Sequence, residues 1–280
     1  MNAQLLLMGL LSIPYADNIH VEKDVPYLGS DRKEKLDLYL PNPLKPNTRY
    51  PAVLIIHGGG WTGGDKGAKR EINIGTTLAE NGYVAISINY LLQTPEAPPI
   101  WPKNLHDCKT AVRWLRANAN KYQIDPDNIG VIGGSAGGHL AAMVGLTGNH
   151  EKLNPSQPLG NFPCTVKAVV DMYGPAADFN KRGLKILGKT PEEAPELYAE
   201  VSPITHIKKN APPILLLHGT ADKTVPVSES EKFAKALTEK GAPHQLIIIE
   251  GAPHTFDLQP KQRDLRPVVL EFFNKNLKAK

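Results

Sequence analysis

Six short apolar runs alternate with segments of helical periodicity along this chain of 280 residues. The runs lie at 52–58, 83–90, 129–133, 166–174, 213–219 and 245–251. Continuous apolar runs of this kind are typical of strands that a parallel sheet buries on both faces. Because strands and helices alternate, we predict an α/β fold with a mostly parallel sheet and helices on both faces. An earlier alternating segment, with Leu36, Leu38 and Leu40 on one side, predicts a half-buried antiparallel strand.

The segments between and after these runs predict the helices. The helical patterns cover about 70–81, 103–122, 228–241 and 266–277, and a helix of small residues follows residue 138. The segment 190–193, "TPEE", has the residues of a helix start, and "DPDN" at 125–128 predicts a turn. No repeat or linker-like change of composition occurs. We therefore expect one domain over 1–280, with a short cap-like insertion at 175–205.

Charge and cysteine content limit the classes of partner and cofactor. The net charge of +4 comes from 32 basic and 28 acidic side chains, and the basic residues are scattered, so we expect no nucleic-acid surface. The two cysteines, Cys108 and Cys164, lack the spacing of a metal site. We interpret them as two isolated buried thiols, with a disulfide as the open alternative, and we expect neither a metal nor a cofactor.

The first 18 residues resemble a weak signal peptide. A short apolar run ends near the small residue Ala16, but no basic residues precede it. The run is too short to span a bilayer, and no other uncharged stretch is as long. The segment favours a periplasmic or secreted location slightly over a cytoplasmic one, and we expect no membrane span.

The segment 133–138, "GGSAGG", separates a predicted strand from a predicted helix. It fits G-x-S-x-G, in which Gly133 and Gly137 flank Ser135. A nucleophilic serine on a sharp strand-to-helix turn needs small neighbours on both sides, and a helix N-terminus favours developing negative charge. The alternative is a tight turn with an incidental serine. The strand–turn–helix context favours Ser135 as a nucleophile.

The segment 57–61, "HGGGW", follows the predicted strand at 52–58. Glycines let the backbone approach a ligand and direct its N–H groups inward. The amides of Gly59 and Gly60, together with that of Ala136, would form an oxyanion hole. A flexible turn is the alternative. A phosphate loop is disfavoured because no G-K-[ST] follows.

An acid and a histidine follow the last two predicted strands. Asp222 comes after the strand at 213–219, and His254 comes after the strand at 245–251. In parallel sheets, chemistry gathers at the carboxyl ends of strands. His254 would accept the proton of Ser135, and Asp222 would fix the tautomer of the imidazole. Asp171 is the second candidate for the acid, and the other histidines are interpreted as structural.

These motifs together resemble a known family. "HGGGW", "GGSAGGHLAA", "SPITHI", "APPILLLHGTAD" and "GAPH" occur in the order found in bacterial α/β-hydrolase esterases of the feruloyl-esterase-like or acetyl-xylan-esterase-like kind, which are related to hormone-sensitive lipase. The resemblance runs from about residue 22 to the end. It implies an α/β-hydrolase fold, the triad Ser135, Asp222 and His254, and the same oxyanion-hole residues. Gly134 departs from the lipase-like members, which carry an acid there, and favours the carbohydrate-esterase-like branch.

The substrate is less constrained by the sequence. Trp61, Tyr90, Trp101 and Tyr173 lie on segments that could reach the site, where aromatic rings stack on sugars or phenols, although ordinary packing is an equal alternative. The short insertion favours a small acyl group on a bulky alcohol. We therefore expect a serine carboxylesterase acting on a small-molecule or oligosaccharide ester, such as an acetyl or feruloyl ester of plant polysaccharide. A peptidase or amidase on the same fold, resembling prolyl peptidases or formamidases, and a non-catalytic binding protein are the alternatives. The oligomeric state stays open.

Overall fold

An eight-stranded sheet forms the centre of the computed structural model, which describes residues 17–181 and 183–278. The strands are β1 (Ile19–Pro26), β2 (Lys35–Pro41), β3 (Tyr50–Ile56), β4 (Val84–Ile88), β5 (Ile124–Gly134), β6 (Ala168–Met172), β7 (Ile214–Gly219) and β8 (His244–Ile249). They lie in the order β1-β2-β4-β3-β5-β6-β7-β8. Strand β2 pairs antiparallel with β1 and β4, and the other neighbouring strands are parallel. The predicted, mostly parallel α/β sheet is confirmed.

Helices cover both faces of this sheet. They are α1 (Lys69–Glu80), α2 (Lys103–Ala117), α3 (Ala136–Leu146), α4 (Pro195–Val201), α5 (Ser228–Glu239) and α6 (Arg266–Leu277). Short 3₁₀ turns lie at Glu151–Leu153, Phe179–Lys181 and Pro203–His206. Apolar residues of α1 and α6 share one buried cluster, whereas those of α2, α3 and α5 belong to a second cluster on the other face. The parallel strands lie between these two cores, which explains their continuous apolar runs.

Two strands, β1 at the edge of the sheet and β5 in its interior, differ from the sequence-based expectation. Strand β1 was not predicted, because it pairs on one side only and half of its residues are exposed, so its apolar pattern is weak. The predicted turn at 125–128 lies inside β5, where the register against β3 shifts. Asp125 accepts hydrogen bonds there from the Asp127 amide and the Asn128 side chain. The local turn chemistry is present, but it forms an irregularity within a strand.

Two predicted helix boundaries are also wrong. Helix α2 ends at Ala117 rather than near residue 122, and the Asn118 side chain donates to the Trp114 carbonyl at its end. In the insertion, Thr190 and Glu193 form the reciprocal hydrogen bonds of a capping box. They do so on an isolated turn, because the helix itself begins at Pro195. Capping residues satisfy backbone amides in either setting.

Three further expectations concern the chain as a whole. The signal-like segment predicted over 1–18 lies outside the described residues, apart from its last two positions. Within 17–181 and 183–278, no helix is both long enough and apolar enough to cross a membrane. Cys108 and Cys164 are buried and free, as the isolated-thiol interpretation predicted.

A buried carboxyl lies within the sheet on β6. Asp171 is fully buried, opposite Gly133 of β5. Its Oδ1 accepts a hydrogen bond of 2.9 Å from the Gly174 amide, whereas Oδ2 has no partner among the described residues. Burial raises the pKa of Asp171 to about 7. The folded protein therefore holds a proton that an unfolded chain releases at a pH of about 4.

Substitution of this carboxyl should change the pH dependence of stability. Between pH 4 and pH 8, the folded state binds more protons at Asp171 than the unfolded state does, so its contribution to stability falls as the pH rises. Asp171→Asn removes that titration. We compare the free energies of unfolding as a difference, variant minus wild type. We expect this difference to increase by about 3–4 kcal/mol from pH 4 to pH 8. Urea unfolding at several pH values measures it, and a difference independent of pH would contradict the assignment.

Candidate active site

Ser135 occupies a strained turn between β5 and α3. The strand ends at Gly134 and the helix begins at Ala136, which leaves Ser135 as the N-cap, with φ 58° and ψ −123°. A positive φ at a non-glycine residue of this kind costs about 1–3 kcal/mol and persists only when its surroundings hold it. The serine therefore sits on the sharp strand-to-helix turn that the motif predicts, at the positive end of the helix dipole.

The flanking glycines are required by close backbone contacts. A methyl carbon on Gly133 would lie 2.2 Å from the Gly137 carbonyl oxygen, and one on Gly137 would lie 2.1 Å from the Ile56 carbonyl oxygen. A methyl carbon on Gly138 would lie 2.2 Å from Oδ1 of Asp171. Helix α3 thus packs against β3 and β6 at distances that exclude any side chain.

Ser135, His254 and Asp222 form a continuous hydrogen-bonded chain. Nε2 of His254 lies 2.9 Å from Oγ of Ser135, and Nδ1 lies 2.6 Å from Oδ2 of Asp222. A carboxylate only accepts hydrogen bonds, so Nδ1 carries the proton and Nε2 is free to accept from the serine hydroxyl. The structure brings together the three residues identified from the sequence. Asp171, the second candidate for the acid, makes no hydrogen bond to His254 among the described residues.

The carboxylate of Asp222 is held from several directions. Its side chain is fully buried, and Oδ1 accepts hydrogen bonds from the amides of Thr224 and Val225 at 2.8 and 2.9 Å. Nε2 of His218 lies 3.2 Å from Oδ2 and 2.9 Å from the Val225 carbonyl oxygen. Because burial lowers the pKa of His218, its ring is neutral and donates from Nε2. His218 therefore holds the loop after β7, as expected from the sequence, and also contacts Asp222.

A glycine loop lines one side of the cleft at Ser135. This cleft has a volume of about 450 Å³, and residues 57–60 form part of its wall. Gly59 and Gly60 have φ values of 111° and 60°, and their amides have no acceptor among the described residues. The Ala136 amide belongs to the first helical turn, where intrahelical acceptors are absent. These amides are available to an anionic oxygen in the cleft.

Gly58 belongs to the same loop and was not singled out from the sequence. A methyl carbon on Gly58 would lie 3.2 Å from Cβ of Ser135 and 2.8 Å from the Gly134 carbonyl oxygen. The loop after β3 and the turn after β5 therefore touch at this point. The place of Gly58 in the triple-glycine motif at 57–61 is the sequence signal from which its role could have been predicted.

The two tyrosines proposed as substrate contacts are buried. Tyr90 stacks on His57 with ring centroids 4.4 Å apart and donates a hydrogen bond to the His57 carbonyl oxygen. Tyr173 packs edge-on against His254 at 4.9 Å and donates to the Phe256 carbonyl oxygen. Neither residue lines the cleft at Ser135. Their burial argues against stacking on a substrate ring and favours ordinary packing.

The two tryptophans have packing partners as well. Trp61 donates from Nε1 to Nδ1 of His139 at 3.3 Å, and Trp101 donates to Oε1 of Glu200 at 2.9 Å. Both indole rings also contact the buried imidazole of His139. Both rings pack around a histidine of α3, and neither lines the cleft at Ser135.

Arg70 of α1 is a cleft residue that no sequence motif indicates. It lines the same cleft as Ser135 and His254. A methyl carbon on Gly134 would lie 2.6 Å from Nη1 of Arg70 and 2.9 Å from the Tyr173 hydroxyl. The glycine that departs from the lipase-like pattern thus leaves room for a guanidinium. The contact joins residues far apart in sequence, so local spacing could not reveal it.

A substitution at Gly137 tests the packing of α3. Gly137→Ala places a methyl carbon against the Ile56 carbonyl oxygen, so the helix or the strand has to shift. We expect the free energy of unfolding to fall by about 2–4 kcal/mol. Gly183→Ala is the control, because none of the described residues lies within 4 Å of a methyl carbon there. Urea unfolding compares the two variants, and equal free energies of unfolding would show that the turn at Ser135 has room for a methyl group.

Comparisons with known proteins show which family and which fold this chain is similar to. The family model BD-FAE matches residues 36–237. The chain is similar to Esterase LipQ of Mycobacterium tuberculosis, with 31% identity over 266 residues that cover 89% of this chain and 62% of the relative. It spans about three fifths of the length of the curated relatives it matches.

Solved structures extend the likeness to the whole fold. A truncated form of a carbohydrate esterase from gut microbiota is 30% identical, with a TM-score of 0.85, and the match covers 95% of this chain and 99% of that one. An acetyl ester-xyloside bifunctional hydrolase from Caldicellulosiruptor lactoaceticus is 29% identical, with a TM-score of 0.72, and the match covers 86% and 88% of the two chains. With the sheet described above, these matches identify the α/β-hydrolase fold.

Proposed function

The chain belongs to the BD-FAE family, and on that premise we propose that it is a serine carboxylesterase. The observation that carries the proposal is the hydrogen-bonded chain from Ser135 through His254 to Asp222, beside a loop with free glycine amides. Nucleophile, base and orienting carboxylate are the groups that acyl transfer requires in this geometry. The esterase relatives support the same reaction class.

In this mechanism Ser135 attacks the ester carbonyl carbon while His254 takes the hydroxyl proton. Asp222 stabilises the imidazolium that forms. The tetrahedral oxyanion accepts hydrogen bonds from the amides of Gly59, Gly60 and Ala136. His254 then returns the proton to the alcohol oxygen, the C–O bond breaks, and an acyl-enzyme remains. Water, deprotonated by the same histidine, releases the carboxylic acid and restores the serine.

The size of the site favours a small acyl group. The cleft at Ser135 is about 450 Å³, and the described residues of the insertion after β6 form one short helix, α4, and two 3₁₀ turns. Such a cap offers little apolar surface for a long acyl chain. Two of the similar solved structures are a carbohydrate esterase and an acetyl ester-xyloside hydrolase. The proposed substrates are acetyl or other short-acyl esters of a bulky alcohol, with acetyl or feruloyl esters of plant polysaccharide as the leading candidates.

Removal of the nucleophile is the primary test. Ser135→Ala should lower kcat/KM for p-nitrophenyl acetate by about 10⁴-fold or more, because the acyl-enzyme cannot form. The circular dichroism spectrum should be unchanged. Ser30→Ala, at an exposed position, serves as the control and should keep full activity. Wild-type protein should be labelled by an organophosphate at Ser135, and full activity in Ser135→Ala would refute the mechanism.

A substrate series tests the acyl preference. With p-nitrophenyl acetate, butyrate, octanoate and decanoate, kcat/KM should decline as the acyl chain lengthens beyond the space of the cleft. Acetylated xylo-oligosaccharides and methyl ferulate, assayed alongside, separate the two polysaccharide candidates. A maximum at octanoate or decanoate would contradict the proposed short-acyl preference while leaving the serine mechanism intact.

A further inference from the structure

Arg70 reaches the nucleophile between two glycines. A methyl carbon on Gly134 would lie 2.6 Å from Nη1 of Arg70, and one on Gly58 would lie 3.4 Å from Nη2. Gly58 precedes the candidate oxyanion-hole glycines, and Gly134 precedes Ser135. The guanidinium therefore lies beside the serine, in the same cleft, with 13% of its side chain exposed.

The hydrogen bonds of Arg70 leave two donors unused. Nε donates to Oε1 of Glu71 at 2.8 Å, Nη2 donates to the same oxygen, and Nη1 donates to the Tyr173 hydroxyl at 2.8 Å. A guanidinium has five N–H groups. The described residues provide no acceptor for the second hydrogens of Nη1 and Nη2, the two nitrogens nearest the glycines. Both are available to a molecule in the cleft.

The charges around these donors favour a neutral oxygen. Glu71, with 2% of its side chain exposed, balances the charge of Arg70. Asp65 lines the same cleft. Burial alone would raise the pKa of Asp65, but hydrogen bonds from Asn89 and Gly67 lower it, so this group is ionised at neutral pH. A carboxylate on the substrate would be repelled by Asp65, whereas a neutral hydroxyl can accept a hydrogen bond from Arg70.

The contacts of Arg70 place these donors on the alcohol side of the ester. His254 has to protonate the alcohol oxygen, so the leaving alcohol lies next to this ring. The ring of Tyr173 packs against His254, and the hydroxyl of Tyr173 accepts from Arg70. The arginine and the leaving alcohol therefore belong to the same side of the cleft.

We propose that Arg70 is a specificity-determining residue for the alcohol part of the substrate. It donates a hydrogen bond to a hydroxyl group on the carbon next to the one that bears the ester oxygen. Sugars and other polyols carry such vicinal hydroxyls. The inference rests on the proposed esterase function and adds to it the residue that selects a hydroxyl-bearing alcohol. It also explains why a glycine precedes Ser135, since a side chain there would displace the guanidinium.

The test compares two esters that differ by one hydroxyl group, trans-2-hydroxycyclohexyl acetate and cyclohexyl acetate. The readout is kcat/KM for the hydroxyl-bearing ester divided by kcat/KM for cyclohexyl acetate. A general effect on His254 changes both values alike and cancels in this ratio. In Arg70→Met/Glu71→Gln, which leaves no unpaired buried carboxylate, this ratio should fall by about ten- to hundredfold, because a hydrogen bond from a charged donor is lost. Glu71→Gln alone is the matched reference and should retain the wild-type ratio.

Two further variants complete the experiment. Arg70→Lys keeps a cation beside Glu71 but has a single donor nitrogen, so the ratio of kcat/KM values should also fall in this variant. Arg70→Lys provides the test if Arg70→Met/Glu71→Gln does not fold. Arg266→Lys, at a position where 42% of the side chain is exposed, should leave both rates unchanged.

The outcomes separate the two proposals. A ratio that stays at the wild-type value in Arg70→Met/Glu71→Gln and Arg70→Lys, even with both rates reduced, would overturn the inference and show that Arg70 only supports Tyr173 and His254. In that case the esterase function would still stand if the wild type hydrolyses cyclohexyl acetate and Ser135→Ala does not. Failure of the wild type to hydrolyse either ester would overturn the proposed function and, with it, this inference.

Discussion

The close approach of α3 to the sheet at Ser135 is the constraint on which the rest of the site depends. Backbone atoms of Gly133, Gly137 and Ile56 lie so near one another that no side chain fits between them. This contact forces the turn at Ser135 into its positive φ and directs the helix N-terminus towards the cleft. The two buried clusters on either side of the sheet hold the strained turn. The free energy gained by burying their apolar side chains far exceeds the free energy cost of the strain.

Four of the eight non-glycine residues with positive φ in the described part of the chain lie at the same edge of the sheet. Trp61, Ser135, Tyr173 and Thr255 are non-glycine residues with φ between 47° and 63°, and each follows the carboxyl end of a parallel strand. Such conformations cluster where a rigid scaffold positions functional groups. Here the loops after β3, β5, β7 and β8 line one small cleft, and Tyr173, after β6, packs against His254 beside it.

Buried polar groups surround the cleft, and hydrogen bonds satisfy most of them. Asp222 is held by two amides and two imidazoles. Arg70 is held by Glu71 and Tyr173. Burial lowers the pKa of His57 to about 4, so this ring is neutral where it stacks on Tyr90. In a medium of low polarity these groups keep fixed orientations, which is the condition for electrostatic preorganisation of a reaction.

The sequence by itself determined the features that depend on local patterns. Continuous apolar runs mark strands that are covered on both faces, and Ser135, Asp222 and His254 could be found because each directly follows such a run. The edge strand β1 escaped notice, since a strand that is half exposed has no continuous apolar pattern. Thr190 and Glu193, in the segment with the residues of a helix start, form reciprocal hydrogen bonds, but the helix begins only at Pro195.

Only the tertiary structure decided which side chains meet. Tyr90 and Tyr173 pack inside the protein, and Arg70 enters the cleft, because contacts across the sheet depend on how helices settle on the strands. Arg70 and Gly134 touch although 64 residues separate them in the chain. A one-dimensional pattern records burial and turn chemistry, which are local. It does not record the packing of distant elements, and that packing decides which groups surround the nucleophile.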